Sequence, residues 1–509
     1  MINLRVMSIW DSLKVFILPG ESLFQRAASA GIWTLAIRVT TRVLSMARII
    51  VLARLLTPQA FGLVGIALLI IDLLTTFTNL GLKAALIQQK GDIKIYLNTA
   101  WTISVIRGLV MGSLLFGTAP LIAGFFNAPS ARPVIQVMAS LLVLNGLTNI
   151  GTIYLYKELE VQKRSVMAIS SILAELAVTI STALILRNVW ALVYGAVAGN
   201  LVGVIISYLI HPYRPRLKFD FQKAKYLFGF GSWVLLSEIA DYFLTSMDRI
   251  FVGKFLGTMT LGIYQIARRI VDLIANEMGI LAGNVVFPAY SKLQNNLSHL
   301  KQAFLINIIT VAFVTFPLAA VILVMAPDVA IIVLGKQWAT SFPAMRVLGV
   351  AAAFYSLMIM GGSLFYASGR PNFRVSMIAV AYFIMAVLLL PLSRELGLIG
   401  VAIAVLAGNI AGFLFLIKAS ANILNTSVID LLQPLISPLS VSLLVWITLL
   451  LARHAFGSQR IGEVILILCI SALVYVLSIL FLWRFFRSGP VQILMMLRNR
   501  NSSSGDLLH

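Results

Sequence analysis

Seven arginines and seven carboxylates stand inside stretches of sequence otherwise fit for hydrocarbon. They are Arg38, Arg42, Arg48, Arg107, Arg249, Arg268 and Arg269, with Asp72, Glu175, Glu238, Asp241, Asp248, Asp272 and Glu277. An ionisable residue at mid-bilayer costs at least about 2.5–3.5 kcal/mol on insertion scales, so each should face a bundle interior or a watery cavity. None of these seven is lysine, although 14 of the chain's 39 basic residues are; Lys83, near the end of the second span, is left out of the set. Arginine keeps its charge when desolvated and offers a planar fork for bidentate phosphate binding. The set therefore suits an anionic headgroup, phosphate or pyrophosphate, with Arg38, Arg42, Arg107, Arg268 and Arg269 as candidate substrate ligands. Seven matching acids leave structural Arg–carboxylate pairs as the other reading. Buried carboxylates also carry protons, so Asp72, Glu175, Glu238, Asp241 and Asp272 are candidates for H⁺ or Na⁺ coupling, with a counter-ion role as the alternative.

Other chemistry is thinly represented. The single cysteine, Cys469, excludes intramolecular disulfides and cysteine metal sites, and His211, His299, His454 and His509 are too far apart for an HExxH-like cluster. Gly253-Lys254 and Gly335-Lys336 lack the upstream glycine and following Ser/Thr of a phosphate-binding loop. No cofactor, metal or ATP-driven step is expected of this chain. The net charge of +21 reads as cytoplasmic loops held against anionic lipid rather than as a nucleic-acid surface.

The elements that must position these groups are membrane helices. Of 509 residues, 60% are hydrophobic and 11% charged, and the mean hydropathy is +0.97. A soluble chain is about 25% charged, so a water-soluble enzyme with a membrane tail is excluded. The chain is expected to be an all-α polytopic membrane protein. About fourteen spans of roughly 20 residues fall near 29–53, 61–88, 97–125, 133–156, 165–186, 189–210, 227–252, 260–287, 303–325, 344–367, 375–393, 397–417, 434–452 and 462–483. Residues 1–28 read as an interfacial segment without a signal peptide, 211–226 as a basic cytoplasmic linker, and 484–509 as a basic cytoplasmic tail. Placing both termini in the cytoplasm gives inside segments more than twice the Lys/Arg of outside loops.

Helical phase gathers the polar residues. At 100° per residue Thr34, Arg38, Thr41, Arg42 and Ser45 share a face of the first span, and Asp72, Thr76 and Asn79 a face of the second. Glu238, Asp241 and Asp248 cluster on the seventh, while Arg268 and Asp272 are one turn apart on the eighth. Arg48, Asp248 and Arg249 lie near span ends and are expected to reach the interface. The cores of spans nine to fourteen carry no such charges, Arg346 and Glu463 lying at the very starts of theirs. A polar cavity between two lobes accounts for the segregation.

An internal repeat supplies those lobes. A shift of 200 aligns Ile50, Leu56, Gly62, Ile66, Ala67, Ile70, Asp72 and Leu73 with Ile250, Leu256, Gly262, Ile266, Ala267, Ile270, Asp272 and Leu273. A shift of 210 aligns Gly151, Tyr156, Arg164 and Met167 with Gly361, Tyr366, Arg374 and Met377, and at 209 Ala198–Gly203 matches Ala407–Gly412. Six helices per copy is an even number, so the two copies, 29–210 and 227–418, run parallel about an axis along the membrane normal. The helices within 434–483 lie outside the repeat. Small residues recur every four positions at Ala191, Gly195, Gly199 and Gly203, and again at Gly400, Ala404, Gly408 and Gly412. That spacing allows close helix approach, either within a lobe, the simpler reading, or at a lobe interface.

Two blocks, Ala53–Gln89 and Phe230–Ile270, resemble the polysaccharide transporter (oligosaccharide flippase) family of the multidrug/oligosaccharidyl-lipid/polysaccharide exporter superfamily. Phe287–Gln294 and Leu334–Gly349 extend the resemblance through most of residues 30–420. It implies fourteen helices, two six-helix lobes that alternate access, and movement of undecaprenyl-pyrophosphate-linked oligosaccharide to the outer leaflet of the bacterial inner membrane. Related lipid II flippases use an Arg-rich cavity, which Arg38, Arg42 and Arg107 match by kind. The expected partners are a lipid-linked glycan, membrane lipids and polysaccharide assembly proteins, with the monomer as the functional unit. A cation-coupled multidrug exporter is the alternative, though its cavity should be acidic and aromatic. A membrane polymerase or ligase needs a large external loop, and the longest here, 326–343, has only Asp328 and Lys336 as ionisable groups.

Overall fold

Helix boundaries follow local chemistry. In the computed structural model, Thr57 caps the helix Pro58–Phe77, its hydroxyl accepting the Ala60 N–H at 3.4 Å, and Pro58 sits in the first turn where no N–H is needed. Asn296 caps Leu297–Asp328 in the same way through the His299 N–H. Arg187, with φ +48°, closes Val161–Leu186. The structure describes residues 40–78, 86–87, 93–158, 160–224, 242–243, 245–281, 285–457 and 461–486. Among them there is no β-strand, and eleven helical stretches are long and apolar enough to cross a bilayer, or twelve counting one bent pair.

The chain divides into two units, Met1–Ser246 with Gly253–Gly262, and Met247–Val252 with Ile263–His509. The first is built on residues 40–55 and helices Pro58–Phe77, Lys94–Phe125, Val161–Leu186 and Trp190–Ile210, with Ala131–Leu147 between them. Its core joins Leu52, Leu56 and Ala60 to Ala183 and Ala191. The second centres on Leu297–Asp328, Phe342–Gly361, Pro371–Leu396 and Leu398–Ile423, where Phe304, Ile308, Leu357, Phe365 and Leu416 are buried together. Val445, Leu449 and Ile467 fasten Ile436–Phe456 and Ile461–Phe486 to Val324 and Met325. Exposed Leu121, Ile185, Leu209 and Leu451 give the helices outward faces suited to lipid.

The small-residue stripes pack within units. A methyl on Gly195 would overlap the Thr179 side chain, and one on Gly199 or Gly203 would press on Glu175 or Ser171, all on the neighbouring Val161–Leu186 helix. Gly400 and Gly408 likewise abut the Leu392 and Ala381 carbonyls.

Three expectations are corrected. The fourth predicted span, 133–156, is broken: Ala131–Leu147 and Ile150–Lys157 meet at 66°. Thr148 is extended there, and the Asn149 side chain accepts the Gly151 N–H at 2.9 Å, restarting the helix in a new direction. The loop expected at 326–343 is largely helical, through Asp328 and then Val329–Leu334 and Lys336–Ser341. Asp248, expected near the interface, is buried (1% exposed) among partners described below.

Candidate functional site

The Lys94–Phe125 helix carries Arg107 to the wall of a cavity of about 370 Å³ inside the first unit. Gly108 and Gly146 let this helix and Ser140–Leu147 approach until a methyl on either would collide with a backbone carbonyl of the other. The cavity opens where the broken span turns away. Its polar lining comes from Thr75 and Thr78 at the end of Pro58–Phe77, Ser104 beside Arg107, and Asn145, Thr148, Asn149, Thr152 and Tyr156 around the break. Arg107 Nη1 donates to the Thr78 carbonyl at 3.0 Å. That carbonyl lies just past a helix end, where oxygens lack intrahelical partners. No carboxylate is among the described lining residues. The volume lies within the range of about 300–1,000 Å³ typical of small-molecule sites.

A second cation stands behind this wall. The Arg164 guanidinium lies 3.8 Å from the centroid of the Tyr156 ring, and its buried Nε has no hydrogen-bond partner among the described residues. In the sequence Arg164 stands out only as a repeat position, and the signal that pairs it with Tyr156 is that the two recur together as Arg374 and Tyr366.

Other intramembrane arginines are committed to acids. Arg48 pairs with Glu175 in the first unit, so the interface role expected for Arg48 gives way to an ion pair. In the second unit Arg268 pairs with Asp248 and lies 3.5 Å from Asp272. The Tyr264 hydroxyl donates to Asp248 Oδ2 at 2.5 Å, and the Arg249 N–H donates to Oδ1 at 2.8 Å. These contacts require a turn in the chain. Asp248 and Tyr264 are sixteen residues apart, about 24 Å along a straight helix at 1.5 Å per residue. The π-helical Val252–Leu256 and Gly257, at φ +85°, reverse the path between them. Asp248 is thus a buried carboxylate held by a cation and a hydroxyl, the condition under which a charge is tolerated away from water.

Of the remaining candidates, Arg42, Asp72 and Arg269 are each engaged by neighbours, with Asp72 and Arg269 exposed. Arg38, Glu238 and Asp241 lie outside the described residues. The structure thus assigns Arg107 to the cavity of the first unit, Glu175 to an ion pair there, and Arg268 and Asp272 to a cluster in the second. No group of three or more metal-ligating side chains occurs among the described residues.

Comparison with known proteins gives this arrangement a context. The chain is 26% identical over 376 residues to the lipopolysaccharide biosynthesis protein WzxC of Escherichia coli (strain K12), covering 72% of this chain and 76% of that one. Its fold is like that of the lipid II flippase MurJ in an inward closed conformation, with a TM-score of 0.72 at 15% identity, covering 90% and 100% of the two chains. It is also like an inward-facing multidrug resistance MATE family transporter of the MOP superfamily, with a TM-score of 0.60 at 18% identity, covering 78% and 99%. Residues 51–343, more than half of the chain, match the family described as polysaccharide biosynthesis protein, and to that family this multi-pass membrane protein belongs.

Proposed function

We propose that the protein is a flippase that carries a lipid-linked oligosaccharide, its glycan joined to undecaprenol through pyrophosphate, to the outer leaflet of the bacterial inner membrane for polysaccharide export. Arg107 carries this reading: a guanidinium on the wall of a cavity lined by hydroxyl and amide side chains among apolar ones, with no acid among its described lining residues. Such a group is a ready partner for phosphate oxygens. The surrounding hydroxyls and amides donate and accept hydrogen bonds as sugar hydroxyls require. Binding the headgroup there lowers the barrier to moving sugars through hydrocarbon while the prenyl tail stays in lipid. The relatives named for lipopolysaccharide biosynthesis and for lipid II flipping support the same class of cargo. The work is transport by alternating access around an Arg-lined cavity, with no bond made or broken in the glycan.

Arg38, Arg42 and Arg269 belong to the proposal as further headgroup ligands, whereas the pairing of Arg268 with Asp248 makes it scaffold. Coupling to H⁺ or Na⁺ through Asp72, Glu175, Glu238, Asp241 or Asp272, contact with polysaccharide assembly proteins, action as a monomer and cytoplasmic termini complete the reading. A cation-coupled multidrug exporter is the second reading, favoured by the likeness to the MATE structure, but a cation-binding cavity calls for acids where this one presents Arg107.

The test compares membrane abundance with glycan export for Arg107→Lys and Arg107→Ala. Losing one charge-assisted hydrogen bond lowers affinity by about 1.5–3 kcal/mol, or ten- to a hundredfold. Normal abundance with export lost in Arg107→Ala, and poorly restored by lysine, is the expected result. Export that falls only in proportion to abundance removes the ligand role. Cationic-dye efflux that depends on the protein, with glycan export unaffected, favours the second reading.

A further inference from the structure

The segment after the Trp190–Ile210 helix starts with His211 in an extended conformation, carries no regular secondary structure as far as Asp220, and then forms one helical turn at 221–224. It is not a slack linker. Asn149 Nδ2 donates to the Tyr213 carbonyl at 2.8 Å, and the Tyr213 hydroxyl donates to Asn98 Oδ1 at 2.7 Å. The Arg216 N–H donates to the same Asn98 oxygen at 2.9 Å, and the Lys218 N–H donates to Thr102 Oγ1 at 3.0 Å. Asp220 caps the closing turn through the Gln222 N–H, and Ala224 is buried beside Leu86, Ile93 and Leu97. The backbone is therefore strapped down along its length.

Its large apolar side chains nonetheless face outward. Leu217, Phe219 and Phe221 are 73%, 54% and 74% exposed. The Arg216 and Lys218 N–H groups both donate to the Lys94–Phe125 helix, a two-residue alternation that sets Leu217 and Phe219 on one side of the chain and Arg216 and Lys218 on the other. Single exposed apolar residues are ordinary, but three within five positions on a fixed backbone mark a contact surface. The basic side chains Arg214, Arg216, Lys218 and Lys223 stand against one acid, Asp220, which Lys223 already engages at 3.1 Å. Position adds the last constraint. The strap begins where the Trp190–Ile210 helix ends and crosses the first turns of Lys94–Phe125 at Asn98 and Thr102, so it lies at the ends of two helices that are each long and apolar enough to cross a bilayer.

We propose that this strap is a membrane-surface anchor: Leu217, Phe219 and Phe221 seat at the boundary between headgroups and acyl chains, while Arg214, Arg216 and Lys218 bind anionic lipid headgroups of the same leaflet. Apolar insertion and attraction to anionic lipid are the two terms that hold interfacial segments in place. Because Asn149 both lines the Arg107 cavity and holds Tyr213, the anchor ties the broken span at the cavity to the bilayer surface.

The experiment uses the full chain with its exposed Cys469 replaced by serine and a nitroxide on Leu217→Cys, Phe219→Cys or Arg216→Cys. The protein is reconstituted in phosphatidylcholine alone or mixed with phosphatidylglycerol. Collision with oxygen is compared with collision with a water-soluble nickel chelate. Labels at 217 and 219 should favour oxygen severalfold over the label at 216, more so with phosphatidylglycerol. Replacing Arg214, Arg216 and Lys218 together by glutamine, with labels at 217 and 219, should remove the lipid dependence. Labels at 217 and 219 as open to the chelate as that at 216 would overturn the anchor and leave a protein partner as the occupant. Protection that is the same in both bilayers and indifferent to the glutamines would overturn the headgroup binding.

Discussion

Gly62 and Gly262 face each other across a contact made by backbone alone: a methyl on Gly62 would overlap the Thr258 carbonyl, and one on Gly262 the Pro58 carbonyl. The contact is reciprocal, with each glycine meeting the residue four positions before the other. Gly62 and Gly262, and Pro58 and Thr258, are each 200 apart in sequence. Overpacking such a contact costs about 1–3 kcal/mol. Gly62→Leu and Gly262→Leu should each lower membrane abundance and unfolding temperature. Because both push apart the same helices, Gly62→Ala combined with Gly262→Ala should cost less than the sum of the singles. An additive double variant, or singles without effect, would mean that the helices separate freely.

The Asp248–Arg268 pair should behave as scaffold. Removing one partner of a buried pair costs about 3–5 kcal/mol because the other charge is stranded. Arg268→Ala and Asp248→Ala should therefore reduce folded protein in the membrane, and the double replacement Asp248→Asn with Arg268→Gln should recover much of the loss. Tyr264→Phe, which removes the hydroxyl that donates to Asp248, should cost about 1–3 kcal/mol. Arg268→Ala with full abundance and failed export would return Arg268 to the ligand set.

Stability should depend on pH through His211. Burial pushes its imidazole below the usual histidine range. Nδ1 accepts the Tyr213 N–H at 3.1 Å, and the ring stacks on Tyr154 with centroids 5.4 Å apart. A protonated Nδ1 has no lone pair for that bond. Between the lowered folded value and the ordinary value near 6.5, the unfolded chain binds more protons than the folded one, so stability rises with pH and is lost as pH falls. Thermal unfolding followed from about pH 7 down to pH 5 should show this slope in the parent protein. His211→Phe, which keeps the ring stack, should flatten it. An unchanged slope would assign the dependence to other groups.

What was legible in the sequence was local or repeated. Thr57-Pro58 announces a helix start, and alternation of apolar runs with basic loops announces the spans. Tyr156 with Arg164, and Tyr366 with Arg374, are matched at one shift in sequence, and in the structure each arginine lies over its tyrosine, at 3.8 and 5.5 Å. Arg107 was legible as an intramembrane cation by type. Its cavity was not, because that depends on the break at Thr148-Asn149, which no proline marks. The Asp248–Arg268 pair was equally hidden: helical phase relates Asp248 only to residues of its own span, whereas the turn at Val252–Gly257 brings it to Tyr264 and Arg268. Long-range pairing of charges is decided by where the chain reverses, and a π-helical turn ending in one glycine leaves little trace in hydrophobic periodicity.

Asp272 offers the cleanest separation of ion coupling from scaffolding. Arg268 is held by Asp248 as well as by Asp272, the latter at 3.5 Å. Removing the Asp272 charge therefore leaves the cation paired, and Asp272→Asn should keep normal abundance where Asp248→Ala does not. Asp72, its counterpart at the shift of 200, is exposed and engaged by neighbours, so Asp72→Asn should also fold. Under proton coupling at least one of the two replacements abolishes the dependence of glycan export on a pH gradient, since an amide cannot take up and release the proton. The measurement is export across a series of imposed gradients, normalised to protein in the membrane. If both asparagine variants keep the full dependence, these two carboxylates are counter-ions and the coupling lies at Glu175, Glu238 or Asp241. If parental export itself is indifferent to pH but follows a sodium gradient, the same variants read out sodium coupling instead.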